Sequence, residues 1–232
     1  LTWADENDAD GDGVSGRPNW VLYKSYSPLR PGAMEQDERV IGRFGRKAGA
    51  YDLLQQTASA YNQDIGVVSS FEQIDPYTHE EQDPEIGNGT VHDVVFYLRT
   101  LKAPIQRNRD DADVIAGSAV FTVIGCAKCH RSSFTTGDSP IAALAYKAFA
   151  PYTDLLMHDM GPGLDDGYTE GTATPAEWRT PALWGLGLFP DSQGGSYFLL
   201  HDGRAHSIEE AIDMHGGEGQ TARDGFNALS TS

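Results

Sequence analysis

Cys126-Ala127-Lys128-Cys129-His130 holds the residues whose types and spacing point most directly to chemistry. Two thiols three positions apart can each add to a vinyl group of one haem, and the imidazole that follows at once can ligate the iron from below. The spacing predicts covalently attached haem, with Cys126 and Cys129 as attachment points and His130 as proximal ligand. Both cysteines of the chain are used here, so none remains for a structural disulfide or a second pair of zinc thiolates. A zinc site would take Cys126, Cys129, His130 and one more ligand, but adjacent Cys and His make an awkward tetrahedral chelate. A redox dithiol is the third reading, and it expects a βαβ pattern that is not found nearby.

A second group of candidate ligands lies near the start. Asp8, Asp10 and Asp12, followed by Gly13, match the first half of a calcium loop, in which alternating carboxylates converge on one hard cation and glycine permits the sharp turn. The twelfth loop position is Asn19 rather than a bidentate Glu, so an exposed acidic turn is the competing reading.

The elements that must position these residues are mostly helical. Ala112 to Ile124 is apolar at helical spacing, with Gly117 and Phe121 one turn apart, and leads directly into Cys126. Tyr51 to Asn62 offers Leu53, Leu54, Ala58 and Tyr61 to one face. Val91 to Leu101 predicts a short amphipathic helix stopped near Pro104. The last clear helix runs from Ile208 to about His215, with Ser207 and Glu210 at capping-box spacing and Gly216-Gly217 ending it. Residues 1 to 40 read as ordered loop or linker, residues 72 to 90 as acidic loop, and residues 131 to 200 as mostly irregular. Long structured loops suit a chain that wraps a large flat cofactor. The expected fold class is mainly α.

Composition bounds the function. With 232 residues, 39% of them apolar, the chain suits one large or two small globular domains, and no apolar run reaches membrane-spanning length. A net charge of −17 argues against nucleic-acid binding. An acidic surface can steer a basic electron-transfer partner, or simply keep the chain soluble. No signal peptide is present, whereas covalent haem attachment normally occurs outside the cytoplasm. The expectation is therefore a periplasmic or otherwise exported protein whose sequence begins after a removed or omitted segment.

Six segments in order carry a resemblance: Asp10 to Asn19 (DGDGVSGRPN), Gly42 to Gly45 (GRFG), the CAKCH site, Leu156 to Gly161 (LMHDMG), Trp178 to Gly187 (WRTPALWGLG), and His201 to Arg204 (HDGR) through His215 to Glu218 (HGGE). Together they resemble the di-haem oxidoreductase family, often labelled thiol-oxidoreductase-like and related to bacterial di-haem cytochrome c peroxidases. That resemblance covers most of the chain. It implies two cytochrome c domains in tandem, each with its own CxxCH, yet this chain has one such motif. Residues 105–232 are expected to form a cytochrome c-like haem domain with long loops. Residues 1–104 are expected to be a loop-rich segment plus a partial or degenerate first cytochrome c-like domain. The chain would then be the C-terminal part of a longer protein, ending short of a further closing helix; loss of the first haem in evolution is the alternative.

In the peroxidases, the distal residue of the second haem follows the FHDG-like segment after one helix. This resemblance makes His215 the first choice for the distal position. Met160 is the second choice, with Met214, His158 or an open site behind it; thioether ligation would raise the reduction potential relative to two imidazoles. Arg179, with its planar fork, can pair with a haem propionate; His201, Asp202 and Arg204 would hydrogen-bond propionates or organise the loop, with a surface turn as the alternative. Trp178 and Trp184 would pack at the haem edge or in the core. His158 is either a distal acid/base group or a hydrogen-bonded loop histidine. The implied function is a haem c oxidoreductase that passes electrons between Fe(III)/Fe(II) iron and a second haem domain or redox partner protein, where peroxide or another oxidant is handled. A mono-haem electron carrier without a catalytic site is the alternative. No residue supports thiol oxidation, because haem consumes both thiols.

Overall fold

Asp52 accepts a hydrogen bond from the Gln55 N–H at 2.8 Å, and this cap starts α1 (Leu53–Ile65). The helix ends where Gly66 turns left-handed at φ 69° and returns its N–H to Asn62, while Val67 returns to Tyr61. Leu54 on this helix packs against Val91 and Val95, one turn apart on α2 (Asn88–Thr100), with Tyr61, Phe71 and Ile86 closing around them. Fully burying each such side chain contributes roughly 1.5–3 kcal/mol. The stretch 1–40, expected to be loop or linker, instead contributes most of an antiparallel sheet of β1 (Trp20–Leu22), β2 (Glu35–Gln36) and β3 (Arg39–Ile41) in the order β1-β3-β2. Val21 and Val40 pair across it and pack on Tyr51.

These elements lie in one of two compact units, residues 19–102 with 170–172. The other contains residues 1–18, 103–169 and 173–232, and with them the CAKCH site. The computed structural model describes residues 3–30, 32–33 and 35–229.

In the second unit, α3 (Ala112–Val123) begins at Asp111, whose carboxylate accepts from the Asp113 N–H. This helix is apolar along its length yet buries none of its side chains; Val123 is 85% exposed. Two short ladders follow. β4 (Phe134–Thr135) pairs with β5 (Ala148–Phe149), and β6 (Met157–Asp159) pairs with β7 (Glu177–Arg179), setting His158 opposite Trp178. Arg17 bridges to Met157 at the edge of the second ladder and pairs its guanidinium with both oxygens of Glu177. Leu156, Met157, Leu164, Leu199 and Ala205 are buried here. Three helices complete the unit: α4 (Phe189–Ser192), α5 (Ile208–Asp213) and α6 (Gln220–Asn227), of which only α5 was expected from sequence.

The expectation of a mainly α fold is overturned. The described residues show 30% helix and 14% strand, with six short helices and small sheets, and are mixed α/β. The physical reason lies in the Gly- and Pro-punctuated stretches. Ladders of two or three residues tie them together, and such strands place too few side chains on one face to leave a period of two in the sequence. Among the described residues, no helix is long and apolar enough to cross a membrane.

Candidate functional site

Gly125 lies at φ 98°, a backbone conformation open to glycine, and turns the end of α3 into the 3-10 turn Cys126–Lys128. The His130 N–H closes the turn on the Cys126 carbonyl at 2.9 Å. Cys126 and Cys129 are both free thiols, each partly exposed. Burial pushes the Cys126 thiol up, so it stays protonated at neutral pH.

His130 donates from Nδ1 to the Tyr152 carbonyl at 2.9 Å. A carbonyl can only accept, so this bond fixes the tautomer and leaves Nε2 with its lone pair. No hydrogen bond engages Nε2 among the described residues. Burial lowers the His130 pKa to about 4 against the opposing bond to Tyr152, and the imidazole is neutral. Phe121 of α3 sits 6.3 Å from the His130 ring and edge-on to Tyr152.

His215 repeats this arrangement from the other end of the unit. Ser207 caps α5 by accepting from Glu210 N–H at 3.0 Å, while the Glu210 carboxylate accepts from His206 N–H rather than completing the box on Ser207. Just past this helix, His215 donates Nδ1 to the Ala211 carbonyl at 2.8 Å. Burial pushes its pKa down as well. Charge on His215 also opposes protonation of His130.

Met160 reaches the same neighbourhood. A Cβ built on Gly219 would lie 3.1 Å from Cβ and Cδ2 of His215 and 3.2 Å from Cε of Met160. The loops carrying these two residues cross through backbone: a Cβ on Gly217 would meet the Asp159 carbonyl at 2.2 Å, and one on Gly161 would meet Gly217 N at 2.9 Å. Met214 forms the C-cap of α5.

His158 is only 3% exposed and has both ring nitrogens occupied. Nε2 bonds Asp154 and Nδ1 bonds Glu218, each at 2.8 Å, and Cys129 Sγ lies 3.7 Å from Nδ1. Burial opposes the charged ring, but the bonds to Asp154, Cys129 and Glu218 overcome it and raise the pKa to about 12. A ring that keeps its proton throughout the neutral range is a poor acid/base catalyst there, and with both nitrogens engaged it offers iron no lone pair. Glu218 also accepts from Ser15 Oγ at 2.6 Å, and its carboxyl is held low once these bonds outweigh its burial.

The remaining candidates are spread around this centre. Arg179, on β7, is half-buried; burial lowers its pKa while Asp154 opposes the change. His201 stacks on Trp178 with ring centroids 3.7 Å apart and planes 11° from parallel. Arg204 pairs with Asp202 at 2.5 Å and donates to the Gly163 carbonyl at 3.2 Å, organising the turn it belongs to. Trp184 packs on Phe149. Near the start, ligand atoms of Asp8 and Asp10 converge within 4.8 Å with Asp5, not Asp12. Asp12 turns instead to Lys128 of the CAKCH turn, whose Nζ lies 3.2 Å from its carboxylate and 2.7 Å from its carbonyl. Exposed carboxylates cluster in this way without an ion as well, and the cluster alone assigns none.

Sequence reasoning missed Tyr152, Asp154, Glu218 and Ser15. Only Glu218, a lone carboxylate inside the glycine run that ends α5, stood out in a way that could have flagged it.

The family described as "Di-haem oxidoreductase, putative peroxidase" matches residues 1–232. No curated protein and no solved structure matches the chain.

Proposed function

Because the chain belongs to the di-haem oxidoreductase family, we propose that it binds one haem c covalently through Cys126 and Cys129 and transfers electrons through it. His130 is the proximal ligand in this reading and His215 the distal one, with Met160 the second choice. The observation that carries it is the His130 to Tyr152 hydrogen bond, which leaves a neutral Nε2 with its lone pair beside two unbridged thiols. The residues present fit the group. Two thiols, two imidazoles each anchored at Nδ1, and the uncovered apolar surface of α3 are the donors and the packing surface that a covalent haem requires.

When bound, haem supplies one-electron chemistry at iron, cycling between Fe(III) and Fe(II). The chain's own residues set its conditions. The Tyr152 and Ala211 carbonyls hold the two imidazoles in the ligating tautomer and raise their basicity. Arg179, His201 and Arg204 are the groups proposed to meet the propionates, and Phe121 packs beside His130. In this reading the protein is periplasmic or otherwise exported. Its partner is a second haem domain or a redox protein, at which peroxide or another oxidant is handled.

Two imidazoles, each fixed at Nδ1, also favour a second reading, a mono-haem carrier with no exchangeable position. One experiment tests both. The protein is made in a host with haem-attachment machinery, its intact mass is measured, and spectra are taken with and without peroxide and cyanide. A mass gain of one haem with ligand-induced spectral change supports the oxidoreductase. A mass gain without any change in the full-length protein supports the carrier. Stoichiometric zinc and no Soret band would overturn both.

A further inference from the structure

Glu218 has no assigned function, yet more polar groups converge on its carboxylate than on any other in the turn after α5. His158 Nδ1 lies 2.8 Å from Oε2, and Ser15 Oγ donates to Oε1 at 2.6 Å. The partners come from the N-terminal loop and from β6. Glu218 itself sits between Gly217 and Gly219, three residues past His215.

Its position matters because Glu218 is the one side chain that the Gly216–Gly219 stretch can use to tie the turn to its neighbours. The Gly216–Gly219 stretch meets the 159–161 loop through backbone atoms, where a Cβ on Gly216 would lie 2.9 Å from the Met160 carbonyl. Backbone contacts of this kind permit close approach but give no side-chain interlock to set the register. Met160 Cε and the His215 ring both crowd Gly219, so the two candidate ligands lie side by side at this turn.

Resting on the reading of His130 and His215 as iron ligands, we infer that Glu218 is a positioning residue. Anchored by His158 and Ser15, it fixes the turn that carries His215 and so selects the imidazole over the Met160 thioether as distal ligand. Glu218 touches neither ligand's donor atom and acts only through the turn.

The test compares Glu218→Gln with the wild-type chain in two ways. In the haem-free chain, amide exchange at residues 215–219 should quicken about tenfold, the loss expected for one charge-assisted hydrogen bond. In the haem-loaded protein, the bis-imidazole spectrum should give way in part to the near-infrared thioether-to-iron charge-transfer band, and adding Met160→Ala should remove that band. A packing defect alone would not produce a band that depends on Met160. Unchanged exchange and unchanged ligation in Glu218→Gln overturn the inference while leaving the ligand reading intact. A wild-type spectrum without two imidazoles overturns the ligand reading, and the ligand-selection inference falls with it. Should Glu218→Gln fail to fold, Ser15→Ala removes one donor at the rim; wild-type exchange and ligation in that variant would likewise count against the inference.

Discussion

Tyr152 offers its carbonyl to His130 Nδ1 at 2.9 Å from a left-handed backbone at φ 55°. A bulky residue there carries strain of about 1 kcal/mol, which this hydrogen bond and the edge-on contact with Phe121 offset. Tyr152→Asn should keep the backbone, since asparagine tolerates that region, and lose about 1 kcal/mol of aromatic packing. Tyr152→Pro cannot adopt it and should turn the carbonyl away. Nitrogen NMR of the His130 ring in the haem-free chain reads the outcome; an unchanged Nδ1–H tautomer in the proline variant would show that the carbonyl does not set it.

Haem attachment gives the most direct test. Replacing both Cys126 and Cys129 with Ser should abolish the covalent mass gain, and His130→Ala should remove the proximal imidazole signature from the spectrum. Retention of covalent haem in the double variant would refute the assignment.

The haem-free chain should be most stable near pH 6.5. His158, raised to about 12, contributes stabilisation that is complete below its unfolded value of about 6.5 and is lost as pH climbs toward its folded one. His130, lowered to about 4, acts in the opposite sense: its contribution is present above about 6.5 and lost as pH falls toward 4, and His215 shifts the same way. Glu177 and Glu218, whose burial is outweighed by hydrogen bonds that hold them low, add a further loss in acid. Urea melts between pH 5 and 9 should trace this dome, with slopes of at most about 1.4 kcal/mol per pH unit for each group. His158→Gln should flatten the alkaline limb; equal slopes in variant and wild type would exclude His158 as its source.

Gly217 and Gly163 make a matched pair. A methyl at Gly217 meets the Asp159 carbonyl and Gly161 N, whereas one at Gly163 meets nothing within 4 Å. Gly217→Ala should cost about 2–4 kcal/mol by forcing backbone apart, and Gly163→Ala should lie within about 0.5 kcal/mol of wild type. Similar denaturation midpoints for the two would contradict the close crossing.

The Arg17 to Glu177 pair joins the N-terminal loop to β7 through the Nε and Nη2 edge of the guanidinium, with side-chain exposures of 27% and 11%. After allowance for solvent screening, Glu177→Gln should destabilise by about 1–2 kcal/mol. A double-mutant cycle with Arg17→Leu measures the coupling, and a value near zero would mark the pair as incidental.

Residues close in sequence were legible. The CAKCH turn, the cap at Ser207 and helices α1, α2 and α3 depend on neighbours within a few positions, and the helices begin and end within about three residues of where periodicity places them. The fold class was not. Ladders as short as Phe134–Thr135 with Ala148–Phe149 arise from tertiary closure, and two residues cannot display a period. His158 shows the same limit at the site. Its neighbour Asp154 is four positions away, but Glu218 is sixty, and only folding reveals that both ring nitrogens are taken. Asp12 has the alternating spacing of a cation ligand, yet its carboxylate went to Lys128, a residue 116 positions away.

The seven residues from Tyr152 to His158 hold both imidazoles' surroundings at once. Tyr152 anchors His130, the Thr153 N–H reaches the Arg131 carbonyl, and Asp154 with His158 leads to Glu218. These attachments are counted from a common origin, so the stretch behaves as a spacer whose length is under tighter constraint than its composition. Exposed Leu155 can vary, but one inserted residue would put the two ends out of step and shift the proximal side relative to the distal side.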